Sequence, residues 1–200
     1  MKDERTILYY DKNATEFVQG TANVEFSRVQ DGFLTLLPHG GRILDFGCGS
    51  GRDTKYFLSK GYQVDAIDGS AELCKLASEL TGIVVTEMLF SELNADSIYD
   101  GIWACSSILH LPKDELRDVI GKMIRATKAN GCIYTSFKYG NFEGYRNERY
   151  FTDFTEVSFG QFIHEILGIK IVEYWISEDV RPGRSEEKWL NVILQKSDMI

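Results

Sequence analysis

Residues 42–53 read Arg42-Ile43-Leu44-Asp45-Phe46-Gly47-Cys48-Gly49-Ser50-Gly51-Arg52-Asp53. Ile43, Leu44 and Phe46 form the apolar run of a buried strand, three glycines break it, and a helical pattern starts directly after. Such a joint brings a ligand against bare backbone, because glycine accepts angles that other residues resist and carries no side chain. The new helix also points free N–H groups at whatever occupies the turn. A tight turn with no ligand is the plain alternative, although a turn alone needs fewer glycines.

Working outward, the chain alternates short apolar strands with amphipathic helices, the pattern of a doubly wound parallel sheet. Upstream, residues 5–37 read as two helices, the second with Phe26, Val29, Phe33, Leu36 and Leu37 on one face, ended by Pro38, Gly40 and Gly41. Downstream, strands are expected at about 42–47, 62–67, 83–87, 100–105 and 131–137. The helices between them start at 52, at Ala71 and after Pro112. A polar and aromatic link, 138–154, leads to a helix carrying Phe159, Phe162, Ile163, Ile166 and Leu167. Strands at 169–176 and 188–195 are too close in sequence for a crossover helix, so they pair antiparallel.

The glycine spacing separates two ligand classes. A dinucleotide fingerprint, G-x-G-x-x-G, needs a third glycine at position 52, which is Arg52. Here Asp45, Gly47, Gly49 and Gly51 make D-x-G-x-G-x-G. This resembles motif I of the class I S-adenosylmethionine-dependent methyltransferases, where the turn approaches the amino-acid end of the cofactor. The resemblance implies an α/β fold: a Rossmann-like, seven-stranded, mostly parallel sheet with an antiparallel C-terminal hairpin and helices on both faces. It implies one domain over 1–200, with a helical cap at 1–40, a cofactor-binding core at 41–137 and an acceptor-side segment at 138–200.

In such sheets ligands sit outside the carboxyl ends of the strands. The second strand ends at Asp68-Gly69, and a carboxylate there accepts hydrogen bonds from ribose hydroxyls. An N-cap is the alternative role, but Ser70 is placed to fill it. After the third strand, Met88 and Leu89 either flank an adenine or belong to the core. The segment Ala104-Cys105-Ser106-Ser107-Ile108-Leu109-His110 resembles motif IV, with backbone at Cys105 near the methionine end, alongside Cys48 and Arg52 of the first turn. His110 is either an acceptor contact or structural. The aromatic stretch around Tyr9 and Tyr10 is either a lid over the cofactor or a helix on the sheet edge. Tyr139, Arg181 and Arg184 lie where an acceptor is expected. Guanidinium groups bind oxyanions by paired hydrogen bonds, though acidic neighbours make a solvated hairpin the bland reading of the two arginines. The narrower resemblance is to small tellurite-resistance-related methyltransferases, which place arginines in this last hairpin.

Composition limits partners. The net charge of −8 disfavours nucleic acid, and no apolar run is long enough for a membrane span. The N-terminus lacks a signal-peptide pattern, and Cys48, Cys74, Cys105 and Cys132 form no C-x-x-C pair, so a cytoplasmic protein without a metal centre is expected. The expectation is methyl transfer from S-adenosylmethionine to a small molecule by a monomer or homodimer, leaving S-adenosylhomocysteine. The alternatives are a non-catalytic cofactor binder or partner subunit, and a nicotinamide-dependent oxidoreductase.

Overall fold

Alternation along β1 (Arg42–Phe46) decides what each sheet face covers. In the computed structural model, which describes residues 4–197, Leu44 and Phe46 enter one core and Ile43 the other. The first core packs against α5 (Lys113–Ala126) and α6 (Glu156–His164) through residues such as Leu116, Met123, Phe159 and Phe162. The second is aromatic: Phe33 of α2 (Ser27–Leu34) and Phe57 of α3 (Arg52–Ser59) meet Trp103 and Tyr134. The last two rings stack with centroids 4.0 Å apart. Truncating an aromatic of this kind typically costs about 3–5 kcal/mol.

The remaining elements are α1 (Arg5–Thr21), β2 (Gln63–Asp68), α4 (Ala71–Thr81), β3 (Thr86–Glu87), β4 (Tyr99–Ala104), β5 (Thr127–Lys138), β6 (Glu143–Arg146), β7 (Arg149–Thr152), β8 (Ile169–Glu178) and β9 (Lys188–Lys196). The main sheet runs β3-β2-β1-β4-β5-β9-β8. Its first five strands pair parallel, and β9 and β8 pair antiparallel, as expected. Strand order reverses where β1 lies between β2 and β4, which opens a crevice at their carboxyl ends.

Four local expectations change. The third strand is only two residues long. The fifth starts at Thr127, and Asn130 is accommodated within it at φ 61°. The helix after the link ends at His164, which leaves Leu167 exposed. The link itself is a second, two-stranded sheet of β6 and β7. Its turn residues Asn147 and Glu148 both have positive φ, the geometry that tight hairpins favour. Glutamate is an unusual second residue there, so the turn is concealed in the sequence. The expected single domain and its cap extend to residues 1–3 and 198–200, which lie outside the described residues. Among the described residues no helix is long and apolar enough to cross a membrane.

Candidate functional site

A cavity of about 1030 Å³ occupies the crevice. Its floor is the turn after β1. Gly47 has φ 85°, and a Cβ built on it would lie 2.5 Å from Ser107 Cβ and 3.0 Å from the Phe90 ring. Ser107 is itself fixed by donating to the Phe46 carbonyl at 2.6 Å. Gly47→Ala therefore combines left-handed backbone strain with overpacking and should cost about 2–4 kcal/mol in urea unfolding. An unchanged midpoint would show that the turn yields freely.

Gly51 does a different job. With φ 79°, its bare Cα lets α3 approach α4, where a Cβ would meet Thr81 at 2.9 Å and Ala77 at 3.1 Å. Neither Gly51 nor Asp45 lines the cavity. Asp45 is buried beneath it and accepts from the Thr54 hydroxyl at 2.5 Å. Burial first, then the negative Asp53, pushes its carboxyl up to about 8.

Asp68 lies at the end of β2 on the cavity wall. One carboxylate oxygen accepts from Gly49 N at 2.9 Å and the other from Ser70 N at 2.9 Å. Each oxygen keeps acceptor capacity for a ligand, since an ionised carboxylate has about four lone-pair sites. Burial raises the Asp68 pKa, opposed by these backbone N–H groups. The N-cap role belongs to Ser70, whose hydroxyl accepts from Leu73 N at 3.2 Å.

The helix α1 lines the cavity through Thr6, Ile7, Tyr10 and Phe17. Asp11 accepts from the Ser70 hydroxyl at 2.6 Å, and Thr6 Oγ1 accepts from Tyr150 N at 3.0 Å. Tyr10 reaches His110 Nε2 at 2.8 Å. His110 Nδ1 is 2.6 Å from the Tyr150 carbonyl, which can only accept. The proton is therefore assigned to Nδ1, and the Tyr10 hydroxyl donates to Nε2.

Burial, with nearby Arg149, depresses the His110 pKa to about 4. The unfolded imidazole takes its proton near pH 6.5 and the folded one only near 4, so stability is complete above 6.5 and falls towards 4. The stability gap between the wild-type protein and His110→Asn should narrow by about 2 kcal/mol from pH 7.5 to pH 5. Chemical unfolding at both pH values measures it, and a constant gap would mean that the ring protonates within the fold.

The other expected residues divide. Cys48, Arg52, Gly69, Met88, Leu89, Cys105, Arg181 and Arg184 line the cavity together with Tyr10, Gly49 and His110. Tyr139 does not: it is exposed and donates to Glu156 at 2.9 Å. Arg181 is paired with Asp179 by two side-chain hydrogen bonds, and Arg184 with Glu187 by two more. Burial works against the Asp179 charge, but the Arg181 bonds hold its carboxyl well below the ordinary range. Glu187 is held down to about 2, chiefly by Arg184. Burial, then Asp53, pushes the Cys105 thiol up to about 12, so it stays protonated at the end of β4.

Asp53 was not legible as a site residue. It is buried and accepts from both Nε and Nη2 of Arg52, at 2.7 and 2.9 Å. Gln30 Nε2 and Trp103 Nε1 complete the set at 2.6 and 2.8 Å. It thereby locks the Arg52 side chain into the cavity wall. The adjacent arginine was its only sequence signal.

A bare glycine turn thus faces a strand-end carboxylate at the switch point of this seven-stranded order. Residues 43–131 match the family model described as "Methyltransferase domain". An uncharacterized methyltransferase of Staphylococcus carnosus is 29% identical over 93 residues, 46% of this chain and 45% of that one. The 2-methyl-6-phytyl-1,4-hydroquinone methyltransferase of Synechocystis is 29% identical over 127 residues, 60% of this chain and 39% of that one. The chain thus spans less than half the length of these curated relatives. A crystal structure of 1,6-didemethyltoxoflavin-N1-methyltransferase from Burkholderia thailandensis, with its namesake ligand and S-adenosylhomocysteine, superposes with a TM-score of 0.77 at 20% identity, covering 97% of this chain and 87% of that one. The chain thus shares the fold of this solved methyltransferase, and just under half of it matches the methyltransferase domain model. These matches do not extend to the narrower tellurite-resistance resemblance.

Proposed function

We propose that this protein transfers a methyl group from S-adenosylmethionine to a small-molecule acceptor. The observation that carries the reading is the Asp68 carboxylate, held by Gly49 N–H beside a turn that only glycine can form at position 47. Asp68 would take the ribose hydroxyls. The backbone of Gly47, Cys48 and Gly49, with Arg52 beside it, would hold the amino-acid end. Met88 and Leu89, with Gly69, would border the adenine, and the Cys105 backbone would lie near the methionine end. Tyr10 and the rest of α1 would act as the lid that excludes water.

When bound, the cofactor supplies an electrophilic methyl on a leaving group that needs no activation. The chain's share is then to orient and to desolvate. His110, neutral and locked by Tyr150, takes the Tyr10 hydroxyl bond and fixes that ring in the cavity wall. Calorimetry of the pure protein with S-adenosylhomocysteine should show one site per chain. No heat with either that nucleoside or its methylated parent would overturn the proposal.

A further inference from the structure

Of Lys138, Arg146, Arg149, Arg181 and Arg184, which stand around the hairpin of β6 and β7 and the loop between β8 and β9, four are already paired. Lys138 reaches Asp179 and Glu187, and Arg146 forms two bonds to Asp153 at 3.0 and 2.6 Å. Arg181 and Arg184 are held as described above. Arg149 differs. Among the described residues no carboxylate lies within ion-pair distance of it, and its Nε is buried without a hydrogen-bond partner. The one hydrogen bond its guanidinium makes there is a 3.5 Å contact from Nη1 to the Tyr10 hydroxyl.

The group is nevertheless held in place. Its guanidinium carbon lies 4.4 Å from the Tyr9 ring centroid, 5.3 Å from Phe151 and 5.7 Å from Tyr10. Aromatic faces hold a guanidinium and strip its water while leaving its in-plane N–H edge open. A buried donor without a partner is unfavourable, and an oxyanion arriving at the guanidinium relieves it. Arg149 lines the same cavity as Asp68 but comes from the segment after β5, whereas Asp68 ends β2. The cavity, about 1030 Å³, is at the upper limit of the roughly 300–1,000 Å³ usual for one ligand, so a second ligand has room.

We propose that Arg149 is the specificity-determining residue for the methyl acceptor, and that the acceptor carries a carboxylate that its guanidinium grips. This rests on the methyltransferase reading above and moves oxyanion recognition from Arg181 and Arg184, whose forks are filled, to the hairpin residue whose fork is not.

The test uses the full chain saturated with S-adenosylhomocysteine. It is titrated by calorimetry with amino- and hydroxybenzoates and with short aliphatic amino acids, each beside its primary amide. At least one acid should bind the wild-type protein tenfold or more tighter than its amide. Arg149→Met should bring the pair to within twofold, and Arg149→Lys, which keeps the charge without the fork, should lie between. The dissociation constant for S-adenosylhomocysteine should change less than about threefold in either variant, which also reports that each has folded. Acids and amides binding alike throughout, or a preference that survives Arg149→Met, would overturn the proposal. So would a tenfold loss of nucleoside binding in the folded variants, because Arg149 would then belong to the cofactor's site. A wild-type protein that binds no S-adenosylhomocysteine fails one step earlier and removes the methyltransferase reading together with this proposal.

Discussion

Replacing Asp68 by Ala should raise the dissociation constant for S-adenosylhomocysteine by about 100-fold. A hydrogen bond to a charged group contributes roughly 1.5–3 kcal/mol net, so two ribose hydroxyls at the lower limit give about 3 kcal/mol. The free protein should scarcely notice. Burial penalises the ionised Asp68 in the absence of ligand, and the two backbone N–H groups it holds line a cavity that water can enter. A shift of less than about 3 °C in the thermal midpoint is therefore expected. Asp68→Asn keeps one acceptor oxygen and should lose about tenfold. The pH dependence follows the same sign. Ribose hydroxyls favour the ionised carboxylate, so affinity should fall as pH drops through the raised Asp68 pKa. An affinity for Asp68→Ala equal to the wild type would remove the carboxylate from the nucleoside site, whatever the glycine turn binds.

The difference between Asp68 and Asp45 shows where sequence reading works. Asp45 lies one residue before the end of β1 and Asp68 ends β2, each in a recognisable motif, and spacing alone treats them alike. Strand alternation separates them, because Asp45 shares the face of Ile43 and is covered by α3, whereas Asp68 reaches the open end of β2. The parallel sheet was legible because its strands are apolar runs ended by glycine or by polar turns, a local property. The hairpin of β6 and β7 was not, because Asn147-Glu148 lacks the glycine that marks a tight turn. Partner choice was also out of reach. Arg149, Arg181 and Arg184 look equivalent in sequence, and only the folded loop shows Asp179 and Glu187 occupying two of them. The aromatic segment at Tyr9 and Tyr10 left two positions open, because its three polar contacts from α1, to Ser70, Tyr150 and His110, are all to residues far away in sequence.

Asp53→Ala should be the most destabilising polar substitution, at about 3–5 kcal/mol, because it strands a buried guanidinium and two further donors. Arg52, Gln30 and Trp103 all converge on that carboxylate from separate elements, α3, α2 and β4. Against a typical total of about 5–15 kcal/mol, the variant would be partly unfolded at room temperature. One compensation is built in. Asp53 is the second cause, after burial, that raises the Asp45 pKa, so deleting Asp53 lowers that pKa and shifts Asp45 towards the ionised form that would offset the Arg52 charge. The double variant Arg52→Met, Asp53→Ala removes the stranded cation as well. It should recover at least about 1.5 kcal/mol relative to Asp53→Ala, since apolar replacements of a buried pair are often neutral. Urea unfolding of the two single variants and the double variant closes the cycle. A double variant less stable than Asp53→Ala would mean that Arg52 contributes through its packing on Phe26, 4.7 Å from its guanidinium carbon, more than through its charge.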